Sequence, residues 1–282
     1  MPYACCEMMG GMMCSYNYRF TLPYESVDAL ANTKLGSGCS LLGYYMYRGG
    51  TTPTGRRTPF LNEGQVNKRS YDYQAPIGEF GQRRDSYYRL RTLHDFCSSF
   101  AQQLIGSTTV LVNTKDNMQP EDIATLRCCV RVKNGAGFLF INNFQDHLIM
   151  PERHNETVEL SLAAETLRFT LDIASGESAI LPFNLDMGGL LLKQATVQPI
   201  TCLTISGRET WFFFIPEGMK PELRFVRTDV KQVENIDAVC LDGMTVIRPA
   251  AAAMTDFNVN EKRIIVLTRQ QAMRFSHIRK DG

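Results

Sequence analysis

Two rhythms of apolar positions run along this chain, and one gives way to the other near residue 106. In the first stretch Val27, Leu30, Ala31 and Leu35 recur at helical spacing. They follow Pro23, a residue suited to a first helical turn, and Gly36 offers a stop. A second stripe, Leu90, Leu93, Phe96 or Cys97, Phe100 and Leu104, predicts a helix from Asp85 to Leu104. The apolar runs Pro2–Met9 and Leu41–Tyr47 predict strands, closed by Gly10-Gly11 and Gly49-Gly50. The order strand, helix, strand, long loop, helix implies parallel strands joined by a crossover.

From Thr108 short alternating runs replace the helical stripes. They fall at Arg127–Val132, Phe138–Asn142, Thr157–Leu162, Leu167–Ile173, Ser178–Phe183, Gly189–Lys193, Cys202–Ile205 and Thr210–Ile215. Turn signals such as Asn134-Gly135, Ser175-Gly176 and Ser206-Gly207 separate them, which predicts an antiparallel β-sandwich. Pro216, Gly218 and Pro221 mark a break, after which Arg263–Leu267 is the clearest further strand. The expected division is therefore 1–106, 107–221 and 222–282, an α/β part followed by all-β parts. Two βα units are only about a quarter of a closed eight-unit barrel, which takes about 250 residues. Parallel strands need neighbours on both edges and cover on both faces, so a truncated start is expected.

Composition narrows the function classes. Apolar residues at 44% and charged residues at 21% are an ordinary globular mix and exclude a fibrous or solvating chain. Thirty basic against twenty-nine acidic residues, without a basic block, argue against nucleic acid and anionic membranes as partners. No apolar run approaches the roughly 20 residues of a spanning helix. Met1–Met13 lacks a basic region and is broken by Gly10-Gly11, so no signal peptide is read. The nine cysteines include two adjacent pairs, Cys5-Cys6 and Cys128-Cys129, and no CxxC. Neighbours on a strand face opposite ways, so buried reduced thiols are expected rather than a metal clamp. His94, His147, His154 and His277 also lack metal spacing, and no metal or organic cofactor is expected.

Two places carry candidate chemistry. Glu7 is a carboxylate at the C-terminal end of a parallel strand, just before a glycine-rich turn, where βα folds place active sites; a surface or capping role is the alternative. The stretch Gly43-Tyr44-Tyr45-Met46-Tyr47-Arg48-Gly49-Gly50-Thr51 opens a loop of roughly 35 residues, a length that is usually functional. It continues to Ser70-Tyr71-Asp72-Tyr73-Gln74-Ala75-Pro76. A tyrosine offers an apolar face and a hydroxyl, which suits a sugar; an aromatic cluster packed under a loop is the other reading.

These segments resemble the motifs Gly-Tyr-Tyr-Met-Tyr-His-Gly-Gly-Thr-Asn and Ser-Tyr-Asp-Tyr-Asp-Ala-Pro of family 35 glycoside hydrolases, the β-galactosidases. Pro2-Tyr3-Ala4-Cys5-Cys6-Glu7 with Gly10-Gly11-Met12 is similar to the segment that carries that family's nucleophile on its seventh barrel strand. The likeness continues at Gly137–Gln145 and Leu181–Gly189. It implies a partial (β/α)8 TIM barrel, its last two βα units, followed by β-rich domains. It further implies Glu7 as nucleophile, Tyr45, Tyr71 and Tyr73 as sugar-pocket residues, and a β-galactoside substrate. Arg48, Thr52 and Gln74 depart from the family's His, Asn and second Asp.

The family's acid/base Glu lies in an Asn-Glu motif at the end of the fourth strand, upstream of these segments. A retaining glycosidase needs two carboxyl groups about 5–5.5 Å apart. Asn62-Glu63, Asn155-Glu156 and Asn260-Glu261 repeat the dipeptide but fall in a loop, at a strand start and in the tail. The resemblance therefore implies little or no activity for these residues alone, and a possible partner in an N-terminal barrel half. It also suggests a periplasmic or secreted enzyme. A non-catalytic carbohydrate-binding or scaffolding sandwich is the alternative.

Overall fold

The computed structural model describes residues 3–14, 18–57, 69–112 and 118–278. Pro2 and the dipeptide Asn62-Glu63 lie outside them. The chain opens with β1 (Ala4–Met8), α1 (Glu25–Gly36) and β2 (Leu41–Tyr44). β1 and β2 pair in parallel, so this part is a βαβ unit. A small hairpin, β3 (Gly50–Thr51) with β4 (Ser70–Tyr71), precedes α2 (Asp85–Ser99) and α3 (Ala101–Leu104). The helix expected to run unbroken from Asp85 to Leu104 is interrupted at Phe100, whose φ of −111° and ψ of 23° leave the helical region. Its apolar stripe survives the break, because Leu90, Leu93, Phe96, Phe100 and Leu104 are all buried.

Helix α1 buries Val27, Ala31 and Leu35. Gly36 is its last residue rather than its stop. A Cβ there would lie 2.7 Å from Cys129 Sγ and 3.0 Å from Phe140, so glycine permits close packing, and the left-handed turn falls at Gly38, with φ +98°.

The rest is β structure. Its strands are β5 (Thr108–Val112), β6 (Arg127–Lys133), β7 (Ala136–Asn142), β8 (Arg153–Ser161), β9 (Thr166–Ile173), β10 (Ser178–Asp186), β11 (Leu191–Ala195), β12 (Gln198–Ile205) and β13 (Arg208–Ile215). There follow β14 (Leu223–Val226), β15 (Val233–Glu234), β16 (Ala238–Leu241), β17 (Met244–Ile247), β18 (Thr255–Val259) and β19 (Lys262–Thr268), and then α4 (Arg269–Arg274).

One sheet has the order β16-β17-β14-β11-β10-β7-β6-β5, and a second has β12-β13-β19-β18-β15. All pairs in the first are antiparallel. The second contains one parallel pair, β13 with β19, so it is mixed rather than purely antiparallel. Strands β14, β16 and β17 extend the first sheet and β15, β18 and β19 the second. The chain after residue 222 thus completes sheets begun before it.

A single apolar cluster joins the parts, running from Met8, Val27 and Leu90 through Phe138, Phe183 and Trp211 to Phe225 and Ile264. Polar ties reinforce it. Asn32 Nδ2 donates to the Ile141 carbonyl at 2.9 Å, and the Ser99 and Thr201 hydroxyls meet at 2.7 Å. Arg131 is buried and donates to Leu35 O and Leu104 O, placing a cation at the C-terminal ends of α1 and α3.

Candidate active site

Strand β1 presents Glu7 by a break in its own regularity. Its ladder pairs Ala4 with Leu41, Cys5 with Leu42 and Met8 with Tyr44, with a register shift between Cys5 and Met8. One extra residue sits in β1, a bulge of the kind that re-aims side chains. In an unbroken strand Cys5 and Met8 would face opposite ways. Here Met8 is buried in the core and Cys5 packs against it, while Cys6 and Glu7 are both exposed. Gly43 allows this, because a Cβ there would lie 2.4 Å from Cys6 O.

The turn after Glu7 is pressed against the tyrosine segments. Met8 O accepts the Tyr45 N–H at 2.8 Å. A Cβ on Gly10 would lie 2.4 Å from Met46 O, and one on Gly11 would lie 2.3 Å from Tyr73 O. Strand β2 ends at Tyr44, three residues short of the expected Tyr47. The chain turns there, and its next bonds, Ile77 N–H to Tyr47 O at 3.0 Å and Gly49 N–H to Ile77 O at 2.8 Å, go to the far side of the loop.

Tyr45 comes together with Tyr71, 26 residues further along the chain, and with Tyr73. The hydroxyls of Tyr45 and Tyr71 are hydrogen-bonded, and the Tyr73 hydroxyl donates to Tyr71 at 3.3 Å. The ring centroids of Tyr71 and Tyr73 are 4.5 Å apart, and those of Tyr45 and Tyr73 are 5.5 Å apart and nearly perpendicular. Tyr73 and Gln74 hold φ values of 56° and 50°, an unusual run of two non-glycine residues in the left-handed region.

Asp72 holds that turn. Its Oδ1 accepts from the Glu79 N–H at 2.7 Å, and its Oδ2 accepts from the Gln74 N–H at 3.2 Å and from Arg84 Nη2 at 2.6 Å. Glu79 in turn accepts from the Thr51 hydroxyl at 2.5 Å and from Ser70. Gln74 fastens the loop to the start of the chain: its Oε1 accepts the Leu22 N–H at 2.9 Å and its Nε2 donates to Phe20 O at 3.2 Å. Sequence reasoning gave Asp72 and Glu79 no role, although an aspartate two residues before a turn residue is a recognisable Asx-turn signal.

Tyr44, next to the cluster, faces the other way. Its hydroxyl meets His94 Nε2 at 2.8 Å, burial pushes the phenol's pKa up, and burial lowers that of His94. The pair lines a cavity of about 490 Å³ between β2, α2 and Arg131, and Glu7 is not among its lining residues. Of the other Asn-Glu dipeptides, Glu156 is ion-paired to Arg153 at 2.9 Å on β8, and Glu261 sits in the turn between β18 and β19. Neither accompanies the tyrosines.

The thiols are free rather than bonded. Cys39 and Cys128 are buried, but Cys6 and Cys240 are exposed, so burial does not describe all nine. Where burial operates it pushes the thiol up, to about 12 for both Cys97 and Cys128. Among the described residues no three His, Cys, Asp or Glu side chains form a metal-binding group.

Comparison with known proteins places this geometry. Residues 1–97 match the model of glycosyl hydrolases family 35. The chain is also similar to Beta-galactosidase 3 of Oryza sativa subsp. japonica, with 44% identity over 75 residues, 26% of this chain. That match spans only 8% of the relative's length. The residues that match glycosyl hydrolases family 35, 1–97, are the ones that hold the bulged strand and the tyrosine cluster.

Proposed function

We propose that this chain is the C-terminal portion of a retaining β-galactosidase-like glycosidase. Residues 1–106 then supply the last two βα units of a (β/α)8 barrel, and 107–221 and 222–282 supply β-rich parts that carry them. The observation that bears most weight is the joining of three tyrosine hydroxyls in one bonded group, backed onto the strand end whose bulge exposes Glu7.

In this reading the substrate is a terminal β-linked galactose or a related β-glycoside. Tyr45, Tyr71 and Tyr73 bind its hydroxyls, each phenol able to donate one proton and accept another. The Glu7 carboxylate attacks the anomeric carbon as the glycosidic bond breaks, and the departing oxygen takes a proton from a second carboxylic acid. The resulting glycosyl ester is cleaved by water, whose proton returns to that second group. Among the described residues no Asn-Glu glutamate accompanies Glu7, and in this reading the second carboxyl is the one that the family resemblance assigns to an N-terminal barrel half.

Assay on a nitrophenyl β-galactoside tests this. The expected result is negligible turnover by the 282-residue chain and measurable galactoside binding that falls in Tyr71→Phe. Turnover by this chain that disappears in Glu7→Gln would overturn the single-carboxylate account while supporting the nucleophile. Binding unaffected by both substitutions would overturn the site.

A further inference from the structure

The near-neutral total charge conceals a local imbalance. Between Tyr45 and Arg84 the sequence holds seven basic residues against three acidic, an excess of four in a chain whose net charge is +1. The two acids of this loop that lie among the described residues are already engaged. Asp72 is ion-paired to Arg84 at 2.6 Å, and Glu79 accepts from the hydroxyls of Thr51 and Ser70. Arg83 lies over the Tyr87 ring, 5.0 Å from its centroid. Arg48, Arg56, Arg57 and Arg69 have no carboxylate in ion-pair reach among the described residues.

Two of these four flank the tyrosine cluster through the β3–β4 hairpin. Gly50 pairs with Tyr71, and the Thr52 N–H donates to Arg69 O at 2.8 Å, continuing the ladder. Residues two apart on a strand share a face, and directly paired residues project together. Arg69 therefore shares the face of Tyr71, and Arg48 shares that of Gly50 opposite. Both arginines are exposed, and among the described residues a Cβ on Gly50 would meet nothing within 4 Å. Among those residues the face at Gly50, opposite Tyr71, is thus open, with an arginine position on either strand.

We propose that this face of the hairpin accepts a β-glycoside bearing an anionic substituent, a sulfate ester or a uronate carboxylate, which Arg48 and Arg69 engage beside Tyr71. The proposal rests on the glycosidase reading for the sugar and adds the charge of the substrate. A guanidinium fork matches either oxyanion with two parallel hydrogen bonds.

The test is calorimetric titration of the full chain with 4-nitrophenyl β-galactoside, its 6-O-sulfate and 4-nitrophenyl β-galacturonide. The expected result is binding of one or both anionic sugars about tenfold tighter than the neutral one at low salt. That advantage should shrink as salt rises and vanish in the Arg48→Gln/Arg69→Gln double variant, with the melting temperature confirming its fold. Which anionic sugar gains identifies the oxyanion. Equal affinity for all three, or an advantage that survives the double substitution, overturns the proposal while leaving the galactosidase reading in place. Arginine-dependent binding of the anionic sugars alone would support the anion site and count against neutral galactosides. No binding of any sugar would overturn both.

Discussion

Replacing Arg269 with methionine should destabilise the protein strongly at neutral pH and much less in mild acid. Arg269 is 5% exposed and reaches back from α4 to the start of the chain. Its Nη2 lies 2.9 Å from Asp28 Oδ2 on α1 and 3.3 Å from Glu177 Oε1, and its guanidinium lies 4.9 Å from the centre of the Phe214 ring. Asp28 keeps a second partner, Arg89 on α2 at 3.2 Å. Glu177 has no other cation within ion-pair distance among the described residues, and its Oε2 already lacks a hydrogen bond.

Removing one member of a buried ion pair costs about 3–5 kcal/mol, because the other charge stays behind unpaired. Glu177 has an escape. Burial already raises its pKa despite the nearby arginines, and losing Arg269 raises it further. An acid whose folded pKa exceeds its unfolded value of about 4.3 adds stability at low pH and loses it as pH rises toward the folded value. The stability of Arg269→Met should therefore fall by up to about 1.4 kcal/mol per pH unit above pH 4.5 or so, until Glu177 ionises.

Urea unfolding at pH 5 and pH 8, followed by the fluorescence of the single tryptophan, Trp211, measures both costs. Adding Glu177→Gln to Arg269→Met should flatten the pH dependence and recover part of the loss. A cost below about 1 kcal/mol at pH 8, or one equal at both pH values, would refute the reasoning.

Two further outcomes follow from the same structure. Gly11→Ala should weaken sugar binding by more than its effect on stability predicts, since the new methyl needs the space of Tyr73 O at 2.3 Å and must displace the tyrosine turn; titration beside a thermal melt decides it, and unchanged affinity would count against the coupling. Asp172 is held below the usual carboxylate range by Lys220 and by the Asn155 N–H, so its contribution is present above about pH 4 and lost as pH falls through its folded value. Asp172→Asn should therefore cost stability at pH 7 and little at pH 3, measured by urea midpoints, and an equal cost at both would sink the assignment.

Much of the fold was legible because its signals are local. Helical spacing located α1 and α2, and alternation located β6, β7, β9, β10 and β13 to within a few residues of their ends. What escaped depends on partners distant in the chain. Nothing in Thr210–Ile215 says that its neighbour will be the parallel strand β19, because pairing across such a distance is chosen by the packed core. The bulge at Cys6-Glu7 is likewise a property of two strands in register, invisible in either alone. At the candidate site, family likeness pointed to Glu7, Tyr45, Tyr71 and Tyr73, and of these the structure joins the three tyrosines. The bracing by Gln74 and Glu79 could not be read in this way, since it consists of side-chain bonds to segments brought near only by folding.

The apolar cluster that joins Met8 and Val27 to Phe138 and Phe225 has a consequence for inheritance and for engineering. Among the described residues the strand end bearing Glu7 belongs to a sheet of two strands, and it borrows its stiffness through that cluster from the larger β-sheets. Alterations deep in those sheets, in residues no sugar would ever touch, should therefore register as lost affinity at the tyrosines. The two halves are bound to drift together or not at all.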